Sequence, residues 1–246
     1  MAEYDFEGPV GLGDTGHRVR RVQEWLCLHG INVAIDGTFG PATQAGVREF
    51  QALGGVTATG GIDQATFDAL AAPMRAALER VAPETEDLGA LVTTYARQHL
   101  AQAPREVGGQ NRGPWVRLYM RGNEGPEWPW CAGFVSFILK QASHALGRKV
   151  PIPWTASCDL IAAYAKERSR FVAEAAVTPA QLGPGTIFLN RRSTRDWDHT
   201  GLVVEANSVI FKTIEGNTND DGDREGYEVC GRIRGYSAKD FVIVGT

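Results

Sequence analysis

Apolar side chains recur at helical spacing in two stretches near the start of the chain. The first, residues 16–30, ends at Gly30, and the second begins near Pro41, a residue suited to the first turn of a helix. An Asp-Gly turn at residues 36–37 separates them. The side chains predicted to face inward are those of Val19, Val22, Leu26, His29, Val47, Phe50 and Leu53, with Trp25 beside them. Residues 1–13 lack this pattern and are predicted to form a loose arm.

A short motif occurs twice in the same region. The stretches GTFGPAT (37–43) and GGIDQAT (60–66) share the pattern G-x-[FI]-x-x-x-T. This self-similarity indicates a small pseudo-repeat, in which loops and short helices pack on one compact core.

A connector rich in Ala, Pro and Glu follows the repeat and predicts a domain boundary. We place the first domain at residues 1–72, with its core at 12–70, a linker at 73–88 and the second domain at 89–246. The helix predicted next has one apolar face, formed by Leu88, Leu91, Val92 and Tyr95.

After residue 180 the pattern changes to short runs rich in Val, Ile and Phe, separated by Gly, Asn, Asp and Ser. Such runs predict an antiparallel sheet. The predicted strands are 185–190, 199–206, 208–216, 227–236 and 241–245. Helices precede these strands, so the second domain is predicted to be α+β.

Composition and charge exclude several classes of protein. Of 246 residues 22% are charged, and a net charge of −4 without a Lys/Arg block disfavours a nucleic-acid or anionic-membrane partner. No apolar run approaches the roughly 20 residues that span a bilayer. The N-terminus lacks the basic start and apolar core of a secretory signal, so we expect the protein to be made in the cytoplasm.

Four cysteines are too few for a disulfide scaffold in a chain of this length. No two of them have the spacing of a metal knuckle, so no metal site is predicted. Cys27, Cys158 and Cys230 are interpreted as small buried hydrophobic residues.

The fourth cysteine, Cys131, lies where an apolar helix is predicted to begin. Pro129 disfavours helix before it, and the run FVSFIL carries a helix after it. The free N–H groups and dipole of a helix start stabilise a thiolate, which is the form a nucleophilic cysteine needs. Cys131 is therefore a candidate nucleophile; the alternative is a buried structural cysteine.

A candidate base, His199, lies at the start of a predicted strand. If residues 206–208 form a three-residue loop, His199 faces Glu215 across the hairpin, close enough for the carboxylate to orient the imidazole; a two-residue turn would spoil that pairing. Asn217 lies two residues on and is a second candidate orienter. A thiol, an imidazole and a carboxylate or amide are the three groups that cysteine–histidine catalysis uses. The remaining histidines are interpreted as surface or cap residues, and these are His17, His29, His99 and His144.

Alternatives remain open for the two candidate orienters. Glu215 also suits an edge-strand charge, and Asn217 also suits a turn residue in the polar stretch NTNDDGD.

Residues 105–245 resemble the CHAP domain, the cysteine, histidine-dependent amidohydrolase/peptidase family. The resemblance rests on the segments GGQNRGPWVRLYMRG, PWCAGFVSF, GPGTIFLN, DHTGLVVE and IEGNTN. It implies a papain-like α+β domain with a central helix and an antiparallel sheet. It also implies Cys131 as nucleophile, His199 as base, and Glu215 and Asn217 as the groups that hold the base, without a cofactor.

Some members of that family bind calcium in an Asp-rich loop before the nucleophile. The corresponding stretch here, REVGGQNRG, lacks the acidic cluster, so no metal is implied. The later stretch NDDGDREG lacks a full calcium-loop pattern and is interpreted as a solvated turn.

Residues 12–70 resemble the three-helix peptidoglycan-binding domain of cell-wall hydrolases, through VRRVQEWLCLHG, DGTFGPATQAGVREFQ and GGIDQATFDAL. The two resemblances together imply a monomeric peptidoglycan hydrolase that cleaves a stem amide, either the sugar–L-alanine bond or a peptide bond. Asn111, Trp130 and Trp197 are candidates for binding substrate. Asp36, Phe39 and Thr43 suit architectural roles as well as ligand contact.

Two other functions stay open: an inactive wall-binding protein, and a thiol-dependent deamidase or transacylase acting on protein. The biological role also stays open between a phage endolysin and an antibacterial effector with a cognate immunity protein. In both cases we expect action on peptidoglycan of the periplasm or cell wall after release or delivery.

Overall fold

The computed structural model describes residues 2–219 and 226–245. The helices are α1 (His17–Leu28), α2 (Pro41–Leu53), α3 (Gln64–Leu70), α4 (Ala72–Leu78), α5 (Leu88–Leu100), α6 (Pro114–Tyr119), α7 (Cys131–Ala145) and α8 (Cys158–Glu167). The strands are β1 (Phe171–Val172), β2 (Ile187–Ser193), β3 (Asp196–Ala206), β4 (Ile210–Thr218), β5 (Glu228–Gly235) and β6 (Lys239–Val242). The fold mixes α and β, with helices at the N-terminus and an antiparallel sheet, as predicted. Within the described ranges, no helix combines the length and the apolar character needed to cross a membrane.

The pseudo-repeat is built around two glutamines that make matching hydrogen bonds. Gln23 in α1 forms hydrogen bonds with the motif at 37–43, and Gln51 in α2 forms them with the motif at 60–66. Each side-chain carbonyl accepts the N–H of the motif's first glycine, over 2.8 Å and 2.9 Å. Each side-chain amide donates two hydrogen bonds of 2.9–3.1 Å. One goes to the carbonyl of the residue after that glycine, Thr38 or Gly61, and the other to the hydroxyl of the motif's threonine. The threonine of each motif therefore has an architectural role.

Two predictions for the N-terminal helices are wrong. Leu53 is 77% exposed, because it lies about 240° around the helix axis from the buried Val47. Residues 2–13 are not a loose arm, since Val10 is buried and pairs with Ile62 in an antiparallel bridge.

The stretch predicted as a linker is packed against the second half of the chain. It contains most of α4, in which Met74 and Ala77 are fully buried. The side-chain amide of Gln98 in α5 donates to the carbonyls of Ala76, Ala77 and Glu79, over 2.7–3.1 Å. These bonds fix the path of the chain between the N-terminal helices and α5.

A buried ion cluster also joins the N-terminal helices to the rest of the molecule. The guanidinium of Arg117 in α6 lies 2.6 Å from the Glu24 carboxylate of α1 and 2.8 Å from that of Glu3. Next to it, the rings of Trp25 and Trp115 meet edge to face, with centroids 6.4 Å apart. Charge and aromatic packing thus hold α1 against α6.

The central helix α7 packs against a six-stranded antiparallel sheet of order β1-β6-β2-β3-β4-β5. Its apolar side chains are buried as predicted, with Phe134 and Ile138 fully enclosed. Gly216 in β4 permits the close approach, since a Cβ there would lie 2.8 Å from the Cβ of Phe134. The start of α7 is therefore held next to the ends of β3 and β4.

His99 in α5 is buried rather than at the surface, contrary to the prediction. Its Nδ1 lies 2.9 Å from the Tyr119 hydroxyl, and its Nε2 lies 3.0 Å from Gln141 Oε1. Burial lowers the pKa of His99 to about 4, so the ring is neutral near pH 7. His99 is a core residue of the helical layer.

Candidate active site

Cys131 is the first residue of α7, as the sequence predicts. It is only 5% exposed. The preceding backbone N–H, that of Trp130, donates to Asn217 Oδ1 over 2.6 Å and ties the helix start to the end of β4. The helix start is therefore anchored directly beside the thiol.

The His199 imidazole and the Glu215 carboxylate are brought together. His199 Nε2 donates to Glu215 Oε2 over 2.7 Å, and both side chains are buried. His199 Nδ1 is buried without a hydrogen-bond partner among the described residues. Glu215 thus fixes the ring through Nε2 and leaves Nδ1 for proton transfer.

The strand register that produces this contact differs from the predicted one. Leu202 pairs with Ile214, and a bulge beyond Val203 shifts the pairs nearer the turn, so that Glu205 faces Lys212. Continued in the same register, His199 lies diagonal to Glu215 rather than directly opposite. Diagonal neighbours on one face of a sheet remain within reach of long side chains.

Gly201 in β3 leaves room for the Glu215 side chain to reach His199 diagonally. A Cβ on Gly201 would lie 2.6 Å from Glu215 Cγ and 2.8 Å from the ring of Phe188. The Glu215 side chain therefore crosses β3 over Gly201 to reach His199.

Two further side chains, which the sequence analysis did not identify, hold Glu215. The guanidinium of Arg234 in β5 donates through Nε to Oε1 (2.8 Å) and through Nη2 to Oε2 (2.6 Å). The Thr213 hydroxyl donates to Oε1 over 2.5 Å. Burial opposes ionisation of Glu215, but Arg234 and His199 outweigh it and lower the pKa of this carboxyl to about 2. A buried carboxylate requires such partners, because an unpaired charge is costly to remove from water.

Cys131 and His199 stabilise each other's charged forms. Burial disfavours the imidazolium, yet the Cys131 thiolate and the Glu215 carboxylate raise the pKa of His199 to about 9. A hydrogen bond from Cys158, followed by the interaction with His199, holds the pKa of the Cys131 thiol well below its usual range. Each group thus favours the charged form of the other, and the thiolate is the reactive form of a cysteine nucleophile.

Cys158 is a third residue whose role at the site the sequence analysis did not identify. It is buried, as predicted, but its Sγ lies 3.8 Å from Cys131 Sγ. The pKa of Cys158 is well above its usual range, through the bond to Cys131 and burial, so Cys158 remains a thiol and donates to the thiolate. No local pattern marks this contact, because α7 and α8 meet only in the folded chain.

Asn217 does not orient His199, although the sequence predicts that role. Its Oδ1 accepts the Trp130 N–H, and its Nδ2 donates to the Gly226 carbonyl over 2.6 Å. The residue adopts a left-handed backbone conformation, φ 56°. Asn217 therefore positions the helix that carries Cys131.

The three candidate substrate-binding residues are buried and engaged inside the protein. Trp130 is fully enclosed, and its indole N–H donates to Glu106 Oε1 (2.8 Å). Trp197 donates to Asp240 Oδ2 (2.9 Å). Asn111 has no exposed surface, and its side-chain amide donates to the Pro126 carbonyl (3.3 Å). The burial of all three corrects the expectation that they line an open cleft.

Across residues 2–219 and 226–245, no three side chains among His, Cys, Asp and Glu gather in a way that could hold a metal ion. The stretch interpreted as a solvated turn, NDDGDREG, falls mostly outside the described residues.

We expect Gly201→Ala to impair the site by displacing Glu215. A new Cβ at 2.6 Å from Glu215 Cγ forces that side chain away from His199, and a misplacement of about 1 Å can cost about 10²-fold in rate. The steady-state rate of a reaction that depends on Cys131 and His199, at saturating substrate, measures the effect. Gly231→Ala in β5 is the control, since its Cβ would meet only the Thr213 carbonyl at 3.8 Å. Equal rates for both variants would contradict the crossing of Glu215 over Gly201.

For a reaction that needs the Cys131 thiolate and the His199 imidazolium together, kcat/KM is expected to fall on the alkaline side with an apparent pKa of about 9, as His199 loses its proton. On the acid side it falls where the Cys131 thiolate is protonated, below the usual range of a thiol. Glu215→Gln removes one stabiliser of the imidazolium, so its alkaline limb shifts to lower pH. An unshifted limb in that variant would argue against the Glu215–His199 interaction as the cause.

Residues 15–70 match a family described as "Putative peptidoglycan binding domain", so the chain carries a domain of this family at its N-terminus. A stretch of 68 residues is 40% identical to the zinc D-Ala-D-Ala carboxypeptidase of Streptomyces albus G and covers 26% of this chain. The chain spans only 27% of that relative's length. A solved structure, that of the Burkholderia AP3 phage endolysin, is similar over 56% of this chain and 51% of the other, with 21% identity and a TM-score of 0.25. That score is too low to support a shared architecture.

Proposed function

We propose that this protein is a peptidoglycan hydrolase whose C-terminal half is a papain-like, CHAP-type cysteine amidase or endopeptidase. The observation that carries the proposal is the series of thiol, imidazole and carboxylate formed by Cys131, His199 and Glu215, in a chain with a peptidoglycan-binding domain. The carboxypeptidase relative, whose name refers to a D-Ala-D-Ala substrate, is consistent with a murein peptide as the substrate class.

In the proposed reaction, the Cys131 thiolate attacks the carbonyl carbon of a stem amide. The His199 imidazolium gives its proton to the departing amine, and a thioester between Cys131 and the acyl group remains. Neutral His199 then takes a proton from water, which attacks the thioester and releases a carboxylate. Glu215 keeps Nε2 protonated and Nδ1 available through both steps.

The start of α7 supplies donors for the tetrahedral oxyanion. N–H groups in the first turn of a helix have no partner within the helix. Because the Trp130 N–H is already bound by Asn217, the donors offered to substrate begin with those of Cys131 and Ala132. Donors fixed in this way stabilise charge that develops only in the transition state.

The binding domain raises the concentration of the catalytic half at an insoluble polymer. Linking two binding events in one chain makes the second one intramolecular, so the overall binding is strengthened without any new contact. The fusion therefore favours repeated cleavage near one anchoring point, in the periplasm or cell wall after release or delivery.

The proposal is tested by digesting purified sacculi and identifying the released muropeptides by mass spectrometry. New N-terminal L-alanine would identify an amidase, and a new terminus within the peptide would identify an endopeptidase. Co-sedimentation with the same sacculi measures binding separately. Binding without release would favour the inactive wall-binding protein, and absence of both would favour a thiol enzyme that acts on protein.

A further inference from the structure

A second thiol lies in contact with the candidate nucleophile, although amide hydrolysis requires only one. Cys158 Sγ is 3.8 Å from Cys131 Sγ. Each cysteine is the first residue of its helix, Cys131 in α7 and Cys158 in α8. Both residues are buried, at 5% and 7% exposed.

The chain holds the two helix starts together. Ser136 Oγ in α7 donates to the Thr155 carbonyl (3.0 Å) and accepts the Thr155 N–H (3.2 Å). Thr155 lies three residues before Cys158, so this pair of bonds fixes the entry to α8 against α7. The packing of α7 against the entry to α8 therefore fixes the two thiols close together.

The two thiols differ in reactivity. Cys131 is the thiolate, and a thiolate is the species that peroxides oxidise. Cys158 remains protonated and lies within reach of the oxidised sulfur. A disulfide bond of about 2.05 Å requires the two sulfurs, now 3.8 Å apart, to approach by roughly 1.8 Å.

We propose that Cys131 and Cys158 form an oxidative modification site for hydroperoxides, at which the nucleophile is converted to a reversible disulfide. This inference rests on the function proposed for Cys131. The disulfide removes the nucleophile, so hydrolysis stops until a thiol reductant restores it.

The proposed oxidation proceeds in two steps, formation of a sulfenic acid and then of the disulfide. The Cys131 thiolate attacks the O–O bond of the peroxide, which forms a sulfenic acid and releases hydroxide, or an alkoxide from an organic peroxide. Cys158 sulfur then attacks the sulfenic sulfur, the S–O bond breaks, and the hydroxyl leaves as water with the proton from Cys158. The protein loses two electrons, and the peroxide gains them.

The test treats the full chain with hydrogen peroxide, blocks the remaining thiols with iodoacetamide and maps the tryptic peptides by mass spectrometry. We expect a linked peptide containing Cys131 and Cys158, together with a loss of hydrolysis that dithiothreitol reverses. In Cys158→Ser we expect sulfinic acid at Cys131 and a loss that dithiothreitol does not reverse. Cys27→Ser is the matched control, because Cys27 belongs to the N-terminal domain and its thiol donates to the Val33 carbonyl. It should behave like the wild type.

The absence of the linked peptide from oxidised wild-type protein would overturn the inference, and this result does not depend on how any variant folds. Irreversible oxidation of Cys131 in the wild type, as in Cys158→Ser, would also overturn it. Peptide mapping needs no hydrolytic activity. If the linked peptide forms in a protein that never released muropeptides, the proposed hydrolysis fails and the modification site stands.

Discussion

Replacing Cys131 by alanine is expected to reduce the release of muropeptides from sacculi by about 10³-fold or more, since loss of a nucleophile removes the covalent route. Binding to sacculi should be unchanged, because the peptidoglycan-binding domain lies in residues 15–70. Muropeptide yield and co-sedimentation measured on the same preparation separate the two effects.

Cys27→Ala serves as the control for general loss of a thiol. Cys27 is half-buried in α1 and makes one hydrogen bond, to the Val33 carbonyl. It should retain hydrolysis. If Cys131→Ala releases the same products as the wild type at the same rate, the cysteine mechanism is wrong.

Glu215→Gln is expected to lower both stability and activity. The carboxylate is buried and paired with His199 and Arg234, so its loss leaves the guanidinium without its counter-charge. With a pKa of about 2 against the ordinary 4.5, ionised Glu215 contributes about 3 kcal/mol to the free energy of unfolding at neutral pH. The rate should fall by about 10²-fold or more, because the imidazole loses the group that fixes its tautomer.

The pH dependence of this loss has a definite sign. A carboxyl whose pKa is lowered by folding stabilises the protein above its ordinary pKa, and the contribution disappears as pH falls from 4.5 towards 2. Urea denaturation should therefore show a wide gap between wild type and Glu215→Gln at pH 7, narrowing in acid. Glu205→Gln is the control, since Glu205 is exposed and pairs only with Lys212 at the surface. A gap of constant size would contradict a buried, ionised Glu215.

The contact between His199 and Glu215 could be predicted from sequence although the register could not. The predicted pairing placed the two residues directly opposite, and the turn together with the bulge in β3 shifted the register by two residues, to a diagonal. A shift by an even number of residues keeps side chains on the same face, whereas an odd shift would have separated them. The face of the sheet on which a side chain lies is thus encoded by the alternation of residues along the strand. The pairing register of two strands depends instead on turn and bulge geometry.

Arg234 and Cys158 could not be found from local pattern. Arg234 reaches Glu215 because β5 pairs with β4, and Cys158 reaches Cys131 because two helix starts converge. Neither contact leaves a periodic signal in the sequence. The sequence left Trp130 and Trp197 open between a cleft and a core, since an aromatic residue beside a nucleophile suits either, and the structure buries both.

The packing of α4 against α5, together with the Arg117–Glu24 ion pair, fixes the distance between anchor and active site. An enzyme on a flexible tether samples every bond within a sphere around its anchoring point. If the protein acts as proposed, Cys131 meets the polymer at a fixed displacement and in a fixed orientation from the bound domain. The spacing of cuts along the polymer would then reflect the fixed distance between the binding domain and Cys131.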